Sequence, residues 1–180
     1  MRILLALLLL AAFTACAQEP PEGGQAEAPA AAPAPCTSEK HRQFDFWLGA
    51  WEVTTPDGQP AGHNEIELVH GGCALSENWV SAGGGFSGSS LNIYDQANDR
   101  WHQSWVDTTG VLLQLDGGWQ DGSMSMQGER PGPEGKPLFD RITWTPNEDG
   151  GVRQHWESSP DGETWTTAFD GLYVKADKPE

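Results

Sequence analysis

Tryptophan recurs two residues away from acid or amide side chains in this chain, and that spacing puts side chains on one face of a β-strand. Trp101, Gln103, Trp105 and Asp107 make one such series. Leu75, Glu77 and Trp79 make a second, and Gln154 and Trp156 a third. If these faces turn inward, tryptophans and polar groups share an interior. Each buried polar group without a partner costs roughly 1–3 kcal/mol, so the polar groups must bond one another or be completed by water or a ligand. An aromatic-lined hollow with a few convergent polar groups is the usual small-molecule site. Glu77, Trp79, Trp101, Gln103, Trp105, Asp107, Gln154 and Trp156 are therefore the candidate ligand-binding residues, for a small amphipathic or aromatic ligand. The competing reading makes the tryptophans core fillers and pairs the polar groups among themselves, leaving a structural barrel or one that binds another envelope protein.

Catalysis has a weaker basis. Glu77 and Asp107 could divide into acid and base if their surroundings separate their pKa values. Other chemistries lack their residues. No serine stands in a G-x-S-x-G elbow. Gly83 to Gly85 has no following helix to cradle phosphate. No CxxC and no histidine pair at helical ligand spacing suggests a metal site. His102 and His155 alternate against the tryptophans and are expected outside. His41, His63 and His70 are expected at the surface or in turns.

The elements that must carry these residues are short. Turn signals such as Pro56-Asp57-Gly58, Ala97-Asn98-Asp99, Asp121-Gly122 and Asp149-Gly150-Gly151 punctuate the chain. Between them polar and apolar residues alternate, as in antiparallel strands with one buried face. Strands are predicted near 45–55, 63–70, 73–81, 86–95, 100–107, 111–119, 122–129, 138–146, 151–158 and 165–174. Even spacing with hairpin-length loops predicts an all-β, antiparallel up-and-down barrel or a sandwich. Closure favours the barrel, because it leaves no edge to protect. Phe44, Trp47, Leu48 and Trp51 fall at helical spacing, so a short helical turn is expected before the first strand. Ser159-Pro160-Asp161-Gly162 resembles the Asp-box turn of sialidases but is one residue short, and is taken as a hairpin alone.

The N-terminus gives an address. Arg2 precedes an apolar run from Ile3 to Phe13, too short for a bilayer span of roughly 20 residues and suited to a signal peptide. Phe13-Thr14-Ala15-Cys16 resembles the lipobox of bacterial lipoproteins, in which the cysteine is acylated and becomes the new N-terminus. Residues 1–15 are thus expected to be a lipoprotein signal peptide, and Cys16 acyl chains the link to the bilayer. Ala17 in place of an aspartate favours the outer membrane, facing the periplasm. Ordinary cleavage would instead give a soluble periplasmic or secreted protein. Residues 16–36 are an Ala/Pro-rich tether without apolar periodicity, and 37–180 form one domain that holds all nine tryptophans. The net charge of −16 argues against nucleic acid as a partner. With Cys16 lipidated, Cys36 and Cys73 remain, either as a disulfide in an oxidising compartment or as two thiols.

Gly49-x-Trp51 resembles the G-x-W motif of the lipocalin-like, or calycin, barrels. That resemblance implies that Trp51 plugs the barrel floor and that a basic residue of the last strand, here Lys175, covers its ring. The wider pattern covers nearly the whole domain: His41-Arg42-Gln43-Phe44-Asp45-Phe46-Trp47-Leu48-Gly49, Gly72-Cys73 with Glu77 and Trp79, Ser90-Leu91-Asn92-Ile93-Tyr94-Asp95, and Trp101 through Asp107. It resembles a family of bacterial secreted proteins of unknown function grouped with the calycin-like barrels, which implies the fold and no activity. The nitrobindins, a neighbouring haem-holding family with ten strands, carry a glycine after the first tryptophan segment where this chain has Glu52-Val53-Thr54, so that resemblance leaves haem, with His155 as its ligand, a minor option.

Overall fold

The structure is a computed structural model that describes residues 35–176. The expected signal peptide, the Cys16 acylation site and nearly all of the tether lie outside the described residues. Ten antiparallel strands form a closed barrel: β1 (Gly49–Thr54), β2 (Pro60–Val69), β3 (Ala74–Ser81), β4 (Ser87–Asp95), β5 (Arg100–Asp107), β6 (Leu112–Gln120), β7 (Ser123–Pro131), β8 (Pro137–Pro146), β9 (Val152–Ser159) and β10 (Thr166–Lys175). Each strand pairs with its sequence neighbours, and β10 returns to β1, with Trp51 opposite Lys175 and Val53 opposite Tyr173. The sandwich alternative is thereby excluded.

The helical turn expected before β1 is present as two 3-10 segments, Glu39–Arg42 and Asp45–Trp47. They shorten the first strand, which begins at Gly49 rather than near residue 45. They also stop one end of the barrel. Phe44 and Trp47 are fully buried. Phe44 stacks on Trp47 at 4.9 Å and meets Trp101 and Trp144 edge-on at 5.6 and 5.2 Å. Edge-to-face and offset aromatic pairs of this kind add to the area they bury. Cys36 and Cys73 are joined by a disulfide that holds the chain's entry to the β2–β3 connection.

The contact expected between Trp51 and Lys175 lies at the same end. Lys175 Nζ sits 3.7 Å from the centroid of the Trp51 indole and also donates to the Leu48 carbonyl. Gly49 makes this possible. Its φ is +127°, and a Cβ there would come within 2.6 Å of Lys175 Nζ.

Alternation places Trp51, Val53, Leu75, Trp101, Leu113, Leu115, Met124, Met126 and Trp144 in the core. On β4 it works against hydrophobicity. Leu91 and Ile93 are exposed, whereas Ser90 and Asn92 are buried. The reason is register: Ser90 lies opposite Trp105 and Asn92 opposite Gln103, so β4 must present its polar face to the interior its neighbours define.

Candidate functional site

The barrel interior has three levels. The lowest is the aromatic and aliphatic plug around Phe44, Trp47, Trp101 and Trp144. The middle level is polar. Glu77, on β3, is buried and accepts from Asn64 Nδ2 on β2 at 2.8 Å and from Ser90 Oγ on β4 at 2.6 Å. Asn92 Nδ2 donates to Ser90 Oγ at 2.9 Å, and Gln103 Nε2 donates to Asn92 Oδ1 at 2.8 Å. On the other side of Asn64, the Tyr173 hydroxyl lies 3.3 Å from Nδ2 and donates to Gln154 Oε1. Six strands thus contribute to one hydrogen-bonded belt. It satisfies the rule that buried polar groups are paired, with one exception: Asn64 Oδ1 has no partner among the described residues.

Above the belt the interior opens into a cavity of about 330 Å³. Its walls are Trp79, Trp105, Trp156, Phe86 and Phe169, with Leu113 and Ile142 between them. Glu77, Gln103, Gln154 and Tyr173 form its polar base, and Ala61 and Ser81 reach the rim. The volume lies at the small end of the range of known ligand sites, about 300–1,000 Å³.

Glycines set the width of this cavity. A Cβ on Gly88 would fall 2.1 Å from Trp105 Cζ2, one on Gly62 2.7 Å from Trp79 Cζ2, and one on Gly171 2.6 Å from the Phe169 ring. Each aromatic side chain therefore lies back against a strand position that has no side chain, and the space it vacates becomes the cavity.

The wall also fixes the indole N–H groups. Trp105 Nε1 donates to Asp107 Oδ2 at 3.1 Å, and Trp156 Nε1 to Asp140 Oδ1 at 2.8 Å. Asp140 is fully buried, paired with Arg130 at 2.7 Å and bonded by Ser158 Oγ at 2.6 Å. Both indoles thus spend their donors on the wall and leave hydrocarbon for an occupant.

Glu77 is the unusual group electrostatically. Burial pushes its carboxyl up to about 7 from the ordinary 4.5, against the opposing hydrogen bonds from Ser90 and Asn64. Burial, and then the nearby Glu77 charge, also hold the Tyr173 phenol well above its ordinary value, so it stays protonated.

Of the candidate ligand-binding residues, Glu77, Trp79, Gln103, Trp105, Gln154 and Trp156 share the cavity wall. Trp101 does not. It stands four residues before Trp105, about 13 Å along an extended strand, and its Nε1 donates to Gln43 Oε1 at 3.2 Å within the plug. Asp107 does not line the cavity either. It lies past Trp105 at the strand end, where Oδ1 accepts from Thr109 N at 2.8 Å and from Thr109 Oγ1 at 2.6 Å. Burial raises its pKa, but the bonds from Thr109, Trp105 and Val111 outweigh burial and leave it below its ordinary value. The acid–base pair of Glu77 and Asp107 is therefore not assembled in one hollow. His155 projects from the outer face of β9, with Nε2 3.0 Å from Thr167 Oγ1, and among the described residues no histidine lines the cavity. Of the two places expected for His41, surface or turn, it takes the second: it lies in the first 3-10 segment, buried, hydrogen-bonded to Ser38 Oγ at 2.7 Å and edge-on to Tyr94.

Sequence reasoning missed Asn64, Ser90, Asn92 and Tyr173 in the belt, and Phe86 and Phe169 in the wall. The register against the tryptophan strands would have exposed Ser90 and Asn92. Phe169 follows a β-bulge between Thr167 and Phe169 that breaks the simple alternation of β10. Compared with models of known protein families and with curated proteins, the chain matches none.

Proposed function

We propose that this protein is an envelope lipoprotein of the calycin-like group whose barrel binds a small amphipathic or aromatic ligand. The observation that carries the reading is the cavity itself. Five aromatic side chains wall a hollow of about 330 Å³ above a base of Glu77, Gln103, Gln154 and Tyr173. A core built only for stability would fill that volume, since protein interiors pack to the density of organic crystals. Here glycines beneath the aromatic residues keep it open.

Native mass spectrometry of the full chain purified from its own envelope tests the proposal. A retained small molecule is expected, and it should be lost from Trp105→Ala. Retention that survives this substitution would place the ligand elsewhere. The anchor has its own test: Cys16→Ser should release the protein from membranes, and unchanged fractionation would count against acylation.

A second reading, an interaction barrel without ligand, draws on the outer face of β4–β6, where Leu91, Ile93, Val106 and Leu112 are exposed. A photocrosslinker at Leu91 that captures one protein in the envelope, together with an empty cavity by mass spectrometry, would favour it.

A further inference from the structure

We infer that the occupant of the cavity is a small organic cation, an amine or quaternary ammonium with an apolar or aromatic body, whose charge is met by Glu77. This deepens the binding proposal and rests on it. Three features converge. First, Glu77 lines the cavity and its only hydrogen-bond donors are the neutral Asn64 and Ser90; no ion pair reaches it among the described residues. A buried charge ordinarily has a counter-charge, and here the side chains that surround Glu77 provide none.

Second, among the described residues no lysine, arginine or histidine lines the cavity, so it offers no positive charge to an anionic headgroup. Trp105 and Trp156 point their N–H donors into the wall, towards Asp107 and Asp140. What remains is π-rich surface beside a carboxyl group, the combination that attracts alkylammonium groups. Third, the chain's net charge of −16 draws cations towards it over a long range.

The groups facing Glu77 from the surrounding strands are Asn64 on β2, Ser90 on β4, Gln103 on β5, Gln154 on β9 and Tyr173 on β10. Of these only Tyr173 titrates, and it stays protonated. Asp140 on β8 is held by Arg130. The charge state of the base near neutrality is therefore that of Glu77. A permanent cation should bind the ionised form and expel the proton where Glu77 is protonated.

The test uses the purified full-length protein and two probes of the same shape, phenyltrimethylammonium and its uncharged carbon isostere tert-butylbenzene, titrated by tryptophan fluorescence and calorimetry. At pH 8.5 the cation should bind at least about tenfold tighter, a modest demand on an aromatic site holding a desolvated charge. Below pH 7 its affinity should fall by up to about tenfold per pH unit, because one proton must leave. The isostere should show no such slope. Glu77→Gln should abolish both the preference and the slope. A 180° turn of the Asn64 amide brings its unpartnered Oδ1 to the new donor, so the belt can accept the glutamine. Should Glu77→Gln still not fold, the wild-type ratio and pH slope decide alone. Equal binding of both probes, or a preference that survives Glu77→Gln, overturns the inference and leaves the binding reading standing. Failure of both probes to bind up to their solubility limits overturns both.

Discussion

Asn64 donates to Glu77 from a neutral amide, 2.8 Å away, in the place where a buried carboxylate would ordinarily meet a cation. Burial, which the bonds from Asn64 and Ser90 oppose without overcoming, holds a proton more tightly in the folded chain, at about 7 against the ordinary 4.5. Glu77's contribution to stability is therefore complete below pH 4.5, declines between 4.5 and 7, and is lost above 7. The size is roughly 3 kcal/mol between the two plateaus. Urea denaturation of wild type and Glu77→Gln across pH 4 to 8.5 checks this. The difference between the two should shift by that amount towards the variant as pH rises; parallel profiles would show that Glu77 ionises freely.

Gly88→Ala should close part of the cavity. The added methyl collides with Trp105 and must push the indole inward, or strain the strand, at about 1–3 kcal/mol. Phenyltrimethylammonium binding should fall while the barrel's circular dichroism stays unchanged. Full binding in Gly88→Ala would mean that Trp105 has another place to go.

Gly49→Ala and Lys175→Met test the floor. The first forces a Cβ towards Lys175 Nζ at a positive φ that only glycine adopts freely, which costs about 1–3 kcal/mol. The second removes the cation over Trp51, at about 0.5–2 kcal/mol. Because both act on one contact, the double variant should lose less than the sum of the single losses. Additive losses by thermal or urea denaturation would separate the two roles.

Loss of the disulfide, by Cys36→Ser with Cys73→Ser, should cost about 3–4 kcal/mol if a 37-residue separation is released in the unfolded chain. The loss should be smaller if Arg42, which donates to the Gly72 carbonyl, holds the same connection. Chemical denaturation under oxidising conditions gives the difference directly.

The strands were legible because their signals are local. Period-two alternation and turn residues mark β5, from Arg100 to Asp107, and β9, from Val152 to Ser159, within a residue of their observed ends. The inward faces of Glu77, Trp105 and Trp156 followed from the same alternation. What alternation does not carry is height within the barrel. Trp101 and Trp105 share a face, yet one belongs to the plug and the other to the cavity, because the 3-10 segments occupy only one end. Nor does it show which face of β4 is inside, since Leu91 and Ile93 suggest the wrong one and only pairing with β5 decides. The glycine notches at 62 and 88 depend on diagonal neighbours in other strands, which single-strand patterns never compare, and the one at 171 receives the Phe169 ring of its own strand across the bulge that breaks its alternation.

The β1–β10 seam has a consequence for timing. The first strand, beginning at Gly49, finds one of its two partners only in the last, which ends at Lys175. A nascent chain must therefore keep an open sheet with two bare margins until β10 is made. Deletion of even the last few strand residues should thus produce a chain that aggregates rather than a slightly smaller barrel.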